Sequence, residues 1–197
     1  MLDRIARTCS DIERWSGLPG KFAGWLVPIL VVVVCASVLA AHLRVSTFFT
    51  LDAPAPLIGG AFSASTLTDL QWHLFAILIM LGGAFALHGN RHVQVDFLSA
   101  RFSARIARVI ILLGDLLIML PFCGFMIWFG GKFAVTAYHL GEGSVYGGMT
   151  DRWMIKMFLP LGFALIAVNG VARSLRLIIE LVQPSAAAAP KGNAHHG

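Results

Sequence analysis

One acidic residue, Asp115, lies well inside a long apolar segment of the chain. An ionisable side chain within a membrane span is by default a candidate for proton or ion transfer. However, Asp115 is only seven residues from Arg108, a separation of about 10 Å along a helix. It can therefore lie near the end of the span and pair with an arginine. The first and fourth apolar segments offer no second polar group beyond the marginal Lys156. We interpret Asp115 as a structural residue, with a proton site as the alternative.

The histidines are the residues that point to a redox function. A bis-histidine haem needs two imidazoles at matched depth on facing helices, and His42 with His73 is the pair that fits the predicted helix ends. His88 and His92 are four residues apart, but the glycine and asparagine between them favour a turn and make a metal site weak. A small membrane haem or quinone redox subunit therefore stays open as an alternative function.

No other motif in the chain indicates catalysis. Cys9, Cys35 and Cys123 are scattered and form no C-x-x-C pair, so they do not support a disulfide framework or a thiolate metal site. The sequence contains no glycine-rich phosphate loop, nucleophile elbow or H-E-x-x-H zinc motif. We therefore expect a protein that is not an enzyme and has no catalytic residue, metal site or cofactor.

The elements that must position these residues are apolar helices. Of the 197 residues, 57% are hydrophobic and only 13% are charged, and the mean hydropathy is +0.78. Because a soluble domain has about a quarter charged residues, the composition excludes a disordered chain and indicates an all-α integral membrane protein. The formal net charge is +5, but the basic residues lie between the apolar segments, as membrane topology requires. Nucleic-acid binding is not expected.

Four apolar segments predict four transmembrane helices, at about residues 22–43, 67–87, 109–131 and 155–172. The first is longer than the apolar core of a signal peptide, which has about 7–15 residues, so we interpret it as a retained helix. Lysine and arginine are concentrated before the first helix, between the second and third, and after the fourth. The positive-inside rule then places both termini in the cytoplasm.

Three parts of the chain follow from this pattern: an amphipathic cytoplasmic leader at 1–20, a four-helix transmembrane domain at 21–176, and a disordered tail at 177–197. We expect the leader to lie in the membrane surface, with an apolar face formed by Leu2, Ile5, Cys9 and Ile12. A break at Gly17, Pro19 and Gly20 would separate it from the first span.

A second interfacial helix is predicted between helices two and three, with an apolar stripe formed by Leu98, Phe102, Ile106 and Val109. Within helix two, Gly82 and Gly83 form a patch of small residues. Such a patch lets helices approach closely, so it is a candidate packing surface, either inside this chain or against another protein.

A series of short motifs in a fixed order makes the chain recognisable. They are L-Q-W-H-L-F at 70–75, G-G-A-F-A-L at 82–87, H-V-Q-V-D at 92–96, L-P-F at 120–122, G-E-G-S at 141–144, G-G-M at 147–149, R-W-M-I-K at 152–156 and P-L-G-F at 160–163. Their order, spacing and helix count resemble the DctQ-like small membrane subunit of tripartite ATP-independent periplasmic (TRAP) transporters. The likeness covers about residues 67–172. It departs from the family at Gln94, where an arginine is usual, and at Asp69, where a glutamate is usual.

The resemblance implies a role in a secondary active importer. In such systems a DctP-like periplasmic solute-binding protein captures a small organic acid or similar solute, and a DctM-like large membrane subunit carries the solute with sodium. The small subunit is implied to be a scaffold in the bacterial inner membrane that holds the large subunit and helps to dock the binding protein. A stand-alone exporter that uses Asp115 as its proton site stays open as an alternative.

The resemblance also implies a set of partner-interface or structural residues: Asp69, Trp72, His92, Asp96, Glu142, Ser144, Arg152, Trp153 and Lys156. We expect those on the loop before the fourth helix either to contact the binding protein or to brace the loop. Lys156 is expected to reach the membrane interface or to pair with Glu142 or Asp151. His92 and Asp96 are expected to fix the turn that follows helix two.

Overall fold

The computed structural model describes residues 2–55, 57–88, 103–144 and 148–182. Its elements are, in chain order, α1 (Leu2–Ala23), α2 (Leu26–His42), β1 (Thr47–Ala55), β2 (Gly59–Ser63), α3 (Ala64–His88), α4 (Ala104–Gly114), a π-helical turn (Asp115–Met119), α5 (Leu120–His139) and α6 (Trp153–Val182). Within these residues, four helical stretches are long and apolar enough to cross a membrane, namely Arg14–His42, Ala64–Gly83, Arg105–His139 and Trp153–Val182. The predicted helical class with four spans is confirmed.

The fourth helix is longer than the sequence pattern predicts. α6 continues to Val182, so residues 177–182, which were assigned to a disordered tail, are helical. The reason is that the packed face continues: Ser174 and Leu177 are buried, one turn and two turns after Gly170. Arg173 therefore lies inside the helix rather than after it. Residues 183–197 lie outside the described part of the chain.

The predicted helix break at Gly17–Gly20 is wrong. α1 runs through Pro19 to Ala23, and the chain turns at Gly24 and Trp25, where the Trp25 N–H donates to the Phe22 carbonyl at 3.0 Å. A proline inside a helix costs about 3 kcal/mol, but α1 packs along α3 and α6, and this burial offsets the cost. Gly20 allows that approach, because a Cβ there would lie 2.6 Å from the Cβ of Phe85.

The loop after α2 contains an antiparallel hairpin that an all-α prediction does not include. β1 pairs with β2, with Thr47 opposite Ser63 and Ala55 opposite Gly59, and the pairing is irregular between these ends. The ring of Phe62 stacks on that of Phe49, with centroids 5.3 Å apart. The hairpin leads directly into the first residue of α3, so it positions the start of that helix.

α6 is the central helix of the described bundle, because it packs against α1, α3 and α5, while α2 packs on α3. α6 approaches the backbone of α3 closely at Gly162, where a Cβ would lie 2.7 Å from the carbonyl oxygen of Met80. One turn further along α3, Gly83 faces Ile166 of α6, whereas Gly82 faces open space. Of the two glycines in the small-residue patch, Gly83 therefore packs within this chain, whereas Gly82 does not.

The predicted second interfacial helix falls only partly within the described residues. Leu98 and Phe102 lie outside them. Ile106 and Val109 lie on α4, where both side chains are exposed. Its location in the membrane surface stays a prediction.

Candidate functional site

The first turn of α3 is fixed by a reciprocal pair of hydrogen bonds. The Ser63 hydroxyl accepts the Thr66 N–H at 3.3 Å, and the Ser63 N–H donates to Thr66 Oγ1 at 3.2 Å. This is a capping box in which threonine takes the place of the usual glutamate or glutamine. It holds Thr66, which is 1% exposed, in one orientation toward the loop that precedes α6.

That loop is attached to α3 by two further hydrogen bonds. The Thr66 hydroxyl donates to the Gly148 carbonyl at 3.2 Å, and Oδ2 of Asp69 accepts the Met149 N–H at 3.0 Å. Asp69 is buried, and a Cβ on Gly148 would lie 2.6 Å from its carboxylate oxygen. Only glycine therefore allows the loop backbone to lie on α3 at this position.

The hairpin joins the same arrangement. The Thr150 N–H donates to the Leu57 carbonyl at 3.0 Å, and the Ser144 N–H donates to the Met149 carbonyl at 2.8 Å. Leu57 has a φ of 73°, an uncommon left-handed conformation for a branched side chain. We call the assembly of residues 57–69 with 142–144 and 148–152 the loop cap. It joins the hairpin, the start of α3 and the loop before α6.

An ion pair connects the loop cap to α6. The Lys156 ammonium contacts Oε2 of Glu142 and lies 3.8 Å from the ring centroid of Phe133. The lysine side chain is 13% exposed, so its charge is balanced by the carboxylate and the aromatic face rather than by water. The Arg152 N–H donates to the Glu142 carbonyl at 3.1 Å. Of the two predicted carboxylate partners of Lys156, Glu142 is confirmed.

Two tryptophans of the predicted set occupy different surroundings. Trp153, the first residue of α6, packs edge-on against Tyr138 with centroids 5.3 Å apart. Trp72 is 62% exposed and belongs to a shallow apolar groove between α2 and α3. The other residues that line this groove are Leu30, Val34, Gln71 and Phe75. Trp72 is therefore available to a partner or to lipid, whereas Trp153 braces two helices.

The structure brings together most, but not all, of the residues predicted from sequence. Those that lie in or beside the loop cap are Asp69, Glu142, Ser144, Arg152, Trp153 and Lys156. His92 and Asp96 lie outside the described residues. Thr66 and Met149 were not predicted as site residues. Ser63 and Thr66 are three residues apart, which is the sequence spacing of a helix N-cap. Nothing in the sequence indicates that Met149 contributes its backbone N–H.

A second ion pair lies at the other end of the bundle. Nε of Arg173 donates to Oδ2 of Asp115 at 2.7 Å, and Nη2 contacts Oδ1. The side chains are 15% and 5% exposed, respectively. The expected pairing of Asp115 with an arginine is confirmed, and its structural role stays a prediction. The expectation that the fourth span offers no polar group beyond Lys156 is wrong, because α6 contains the buried Asn169 and, past the predicted end of the span, Arg173.

In both ion pairs, Glu142 with Lys156 and Asp115 with Arg173, the opposite charges neutralise each other. Among the described residues, no group of three or more histidine, cysteine, aspartate or glutamate side chains is placed to hold a metal ion.

The two histidines considered as haem ligands have different surroundings. His42 is exposed at the last position of α2, whereas Nδ1 of His73 lies 2.6 Å from the Asp69 carbonyl oxygen. A hydrogen bond to a carbonyl requires the proton on Nδ1, so this bond fixes the tautomer of His73.

Comparison with known proteins gives a family match but no individual relative. No curated protein and no solved structure matches the chain. A family model does match, over residues 30–180, and its description is "Tripartite ATP-independent periplasmic transporters, DctQ component". The matched range contains all of α3, α4 and α5, most of α2 and α6, the hairpin and the loop cap. The chain therefore belongs to the DctQ family and is a small membrane subunit of a TRAP transporter.

Proposed function

We propose that this subunit is a scaffold in the bacterial inner membrane. It holds a DctM-like large subunit and helps to dock a DctP-like periplasmic binding protein, for sodium-coupled uptake of a small organic acid or similar solute. Both termini lie in the cytoplasm, which follows from the lysine and arginine distribution. The loop cap then faces the periplasm, on the side from which a binding protein delivers its solute.

The observation that carries this proposal is the state of the buried charges. Asp115 pairs with Arg173, and Glu142 pairs with Lys156. A subunit that moved ions and solute through itself would need polar groups near the middle of the membrane that are free to bind them. Among the described residues, each of these two acids is instead paired with a base, and the buried Asp69 accepts the Met149 N–H. This favours a supporting role over a stand-alone exporter that uses Asp115.

The helix surfaces support a partner in the membrane. In each of the four spans, only 11–17% of the most apolar window is buried inside the chain. The remaining surface is available to lipid and to a large subunit. The exposed Trp72 and its groove offer a defined place for contact, since tryptophan in a partly enclosed pocket is a frequent anchor of protein interfaces.

The direct test is to reconstitute transport. The tagged chain is purified together with a DctM-like large subunit from the same organism, placed in liposomes, and supplied with the binding protein and a sodium gradient. We expect uptake only when all three proteins and the gradient are present. Uptake by this chain alone, lost on Asp115→Asn, would instead establish the exporter. A Soret absorbance band in the purified chain would establish the haem alternative.

A further inference from the structure

The side of α1 that faces away from the bundle carries a row of exposed aromatic side chains. Trp15 and Phe22 are 71% and 70% exposed, and Trp25, in the turn that follows, is 75% exposed. Trp15 and Phe22 are seven residues apart, which is about two helical turns, so they lie on one side of the helix. Few apolar residues in the described chain are as exposed as these three.

A row of positive charges runs beside the aromatic row. Arg14 and Lys21 are both exposed and are likewise seven residues apart. Each is the immediate neighbour of one of the aromatic residues. An exposed acid, Asp11, lies about one turn before Arg14. We call Arg14, Trp15, Lys21, Phe22 and Trp25 the aromatic–cationic ridge.

The opposite side of α1 is already occupied. Cys9, Ser16, Gly20 and Ala23 are buried, and α1 packs against α3 and α6. The helix is therefore held to the bundle through its small residues. The ridge is left facing outward, within the first part of the apolar stretch Arg14–His42.

We propose that the aromatic–cationic ridge binds the headgroup of an anionic phospholipid in the leaflet at this end of the bundle. Arg14 and Lys21 contact the phosphate, and the rings of Trp15, Phe22 and Trp25 lie at the boundary between headgroups and acyl chains. Tryptophan concentrates at this boundary. Amphipathic helices with basic polar faces bind anionic lipid through the same two contributions.

Charge complementarity selects lipid over a protein partner. Lysine is depleted at protein interfaces, whereas lysine and arginine near a membrane surface are each attracted to anionic lipid by about 1 kcal/mol. The phosphate of a lipid headgroup neutralises those cations while the acyl region covers the rings. The large subunit is the competing occupant, and the experiment must distinguish the two.

The first test measures lipid preference of the full-length chain. The purified protein is exposed to an equimolar mixture of phosphatidylglycerol and phosphatidylcholine, and the lipids retained are counted by native mass spectrometry. We expect a preference for phosphatidylglycerol that falls by about fivefold for each cation removed in Arg14→Gln and Lys21→Gln. The matched control, Arg44→Gln with Lys132→Gln, removes the same charge from exposed positions at the other end of the bundle. An unchanged preference in the ridge variant, or an equal fall in the control, would overturn the proposal.

The second test needs no charge variant and identifies the occupant. Tryptophan fluorescence of the wild-type chain and of Trp15→Phe is measured in bilayers containing brominated phosphatidylglycerol, with and without the large subunit. The quenching of Trp15 is the wild-type signal minus that of Trp15→Phe. We expect it both with and without the large subunit. Quenching that disappears when the large subunit is bound would show that protein covers the ridge, and the proposal would be wrong.

Discussion

At the scale of single residues, Asp69 shows how a buried carboxylate depends on one distant backbone group. Its Oδ2 accepts the N–H of Met149, 80 residues away in the chain. A hydrogen bond to a charged group contributes about 1.5–3 kcal/mol. We predict that Asp69→Ala lowers the free energy of unfolding in mixed micelles by about 2 kcal/mol. Asp69→Asn should cost less, because its amide oxygen can still accept the bond.

The matched control for Asp69 is Asp52→Ala, which removes an exposed acid from β1. We expect it to change the free energy of unfolding by less than about 0.5 kcal/mol. If the two alanine variants lose equal stability, then the bond to Met149 does not hold the loop cap.

Asp115 and Arg173 allow the structural and proton-site interpretations to be separated. Removing one member of a buried pair leaves the other charge uncompensated and costs about 3–5 kcal/mol. We predict that Asp115→Asn and Arg173→Gln each sharply lower the amount of protein in the membrane. The double variant should lose less than the sum of the two. The measurement is a double-mutant cycle on membrane abundance, with uptake normalised to the protein present.

Normalised uptake decides between the two roles. If Asp115 is structural, the double variant transports at the wild-type rate per molecule. A double variant that is abundant but inactive would mean that Asp115 moves a proton.

The sequence predicted contacts between side chains of opposite charge. It did not predict the contact in which a side chain binds a distant backbone N–H. The pairing of Lys156 with Glu142 was one of two stated options. An arginine partner for Asp115 was expected, but Arg173 was not identified, because it lay beyond the predicted end of the fourth span. The N–H of Met149 carries no side-chain signature, so its bond to Asp69 becomes visible only when the loop is placed on α3.

At the scale of elements, the π-helical turn at Asp115–Met119 determines whether Asp115 lies on the buried or the exposed side of the third span. In α5, Cys123, Gly130 and Ala137 are buried along one face. At about 100° per residue, a regular α-helix would place Asp115 about 80° away from Cys123. A π-turn accommodates one extra residue, which reduces this offset to about 20°. Asp115 is thereby brought onto the buried side, where Arg173 reaches it.

The packing of α1 gives a prediction at this scale. Gly20→Leu places a side chain where the backbone of α3 already lies, so we expect α1 to separate from the bundle. Overpacking of this kind costs about 1–3 kcal/mol. The readout is maleimide labelling of Cys9, which is buried, in a background where Cys35 and Cys123 are replaced by serine. Labelling should become several-fold faster.

Gly82→Leu provides the control for this prediction. It is the same substitution in α3, but a Cβ at Gly82 meets nothing within 4 Å. Labelling of Cys9 should stay at the wild-type rate. Faster labelling in both variants would show that the close approach at Gly20 does not hold α1 in place.

Composition was sufficient to predict the four long helices, because an apolar segment of about 20 residues has few alternatives in a membrane. It was not sufficient for the hairpin, since Pro54 within β1 argues against a strand and the turn has no asparagine–glycine signal. It also failed at Pro19. There, tertiary packing of α1 outweighs the local preference of proline to end a helix.

At the scale of the whole molecule, the bundle presents far more apolar surface than it buries, as expected for a subunit of a larger membrane complex. Trp72 is a large exposed aromatic side chain that lies at a groove. We predict that Trp72→Ala weakens association with the large subunit by about 2 kcal/mol. The measurement is the amount of large subunit that co-purifies at limiting concentration.

Trp128→Ala is the matched variant, because Trp128 is equally exposed, at 63% against 62%, but lies on α5. We expect it to leave co-purification unchanged. If both substitutions reduce the recovered large subunit to the same extent, the groove beside Trp72 is not the contact.

Two contacts between residues far apart in the chain, Asp69 with Met149 and Asp115 with Arg173, also depend on the order of synthesis. Asp69 is synthesised 80 residues before Met149, and Asp115 is synthesised 58 residues before Arg173. In both cases the acid enters the membrane first, and an unpaired carboxylate there is costly. The second and third spans therefore stay incompletely stabilised until the last quarter of the chain arrives and supplies both partners. We therefore expect insertion of the final helix to complete the stabilisation of the bundle, and a chain truncated before α6 to be degraded faster than the full chain.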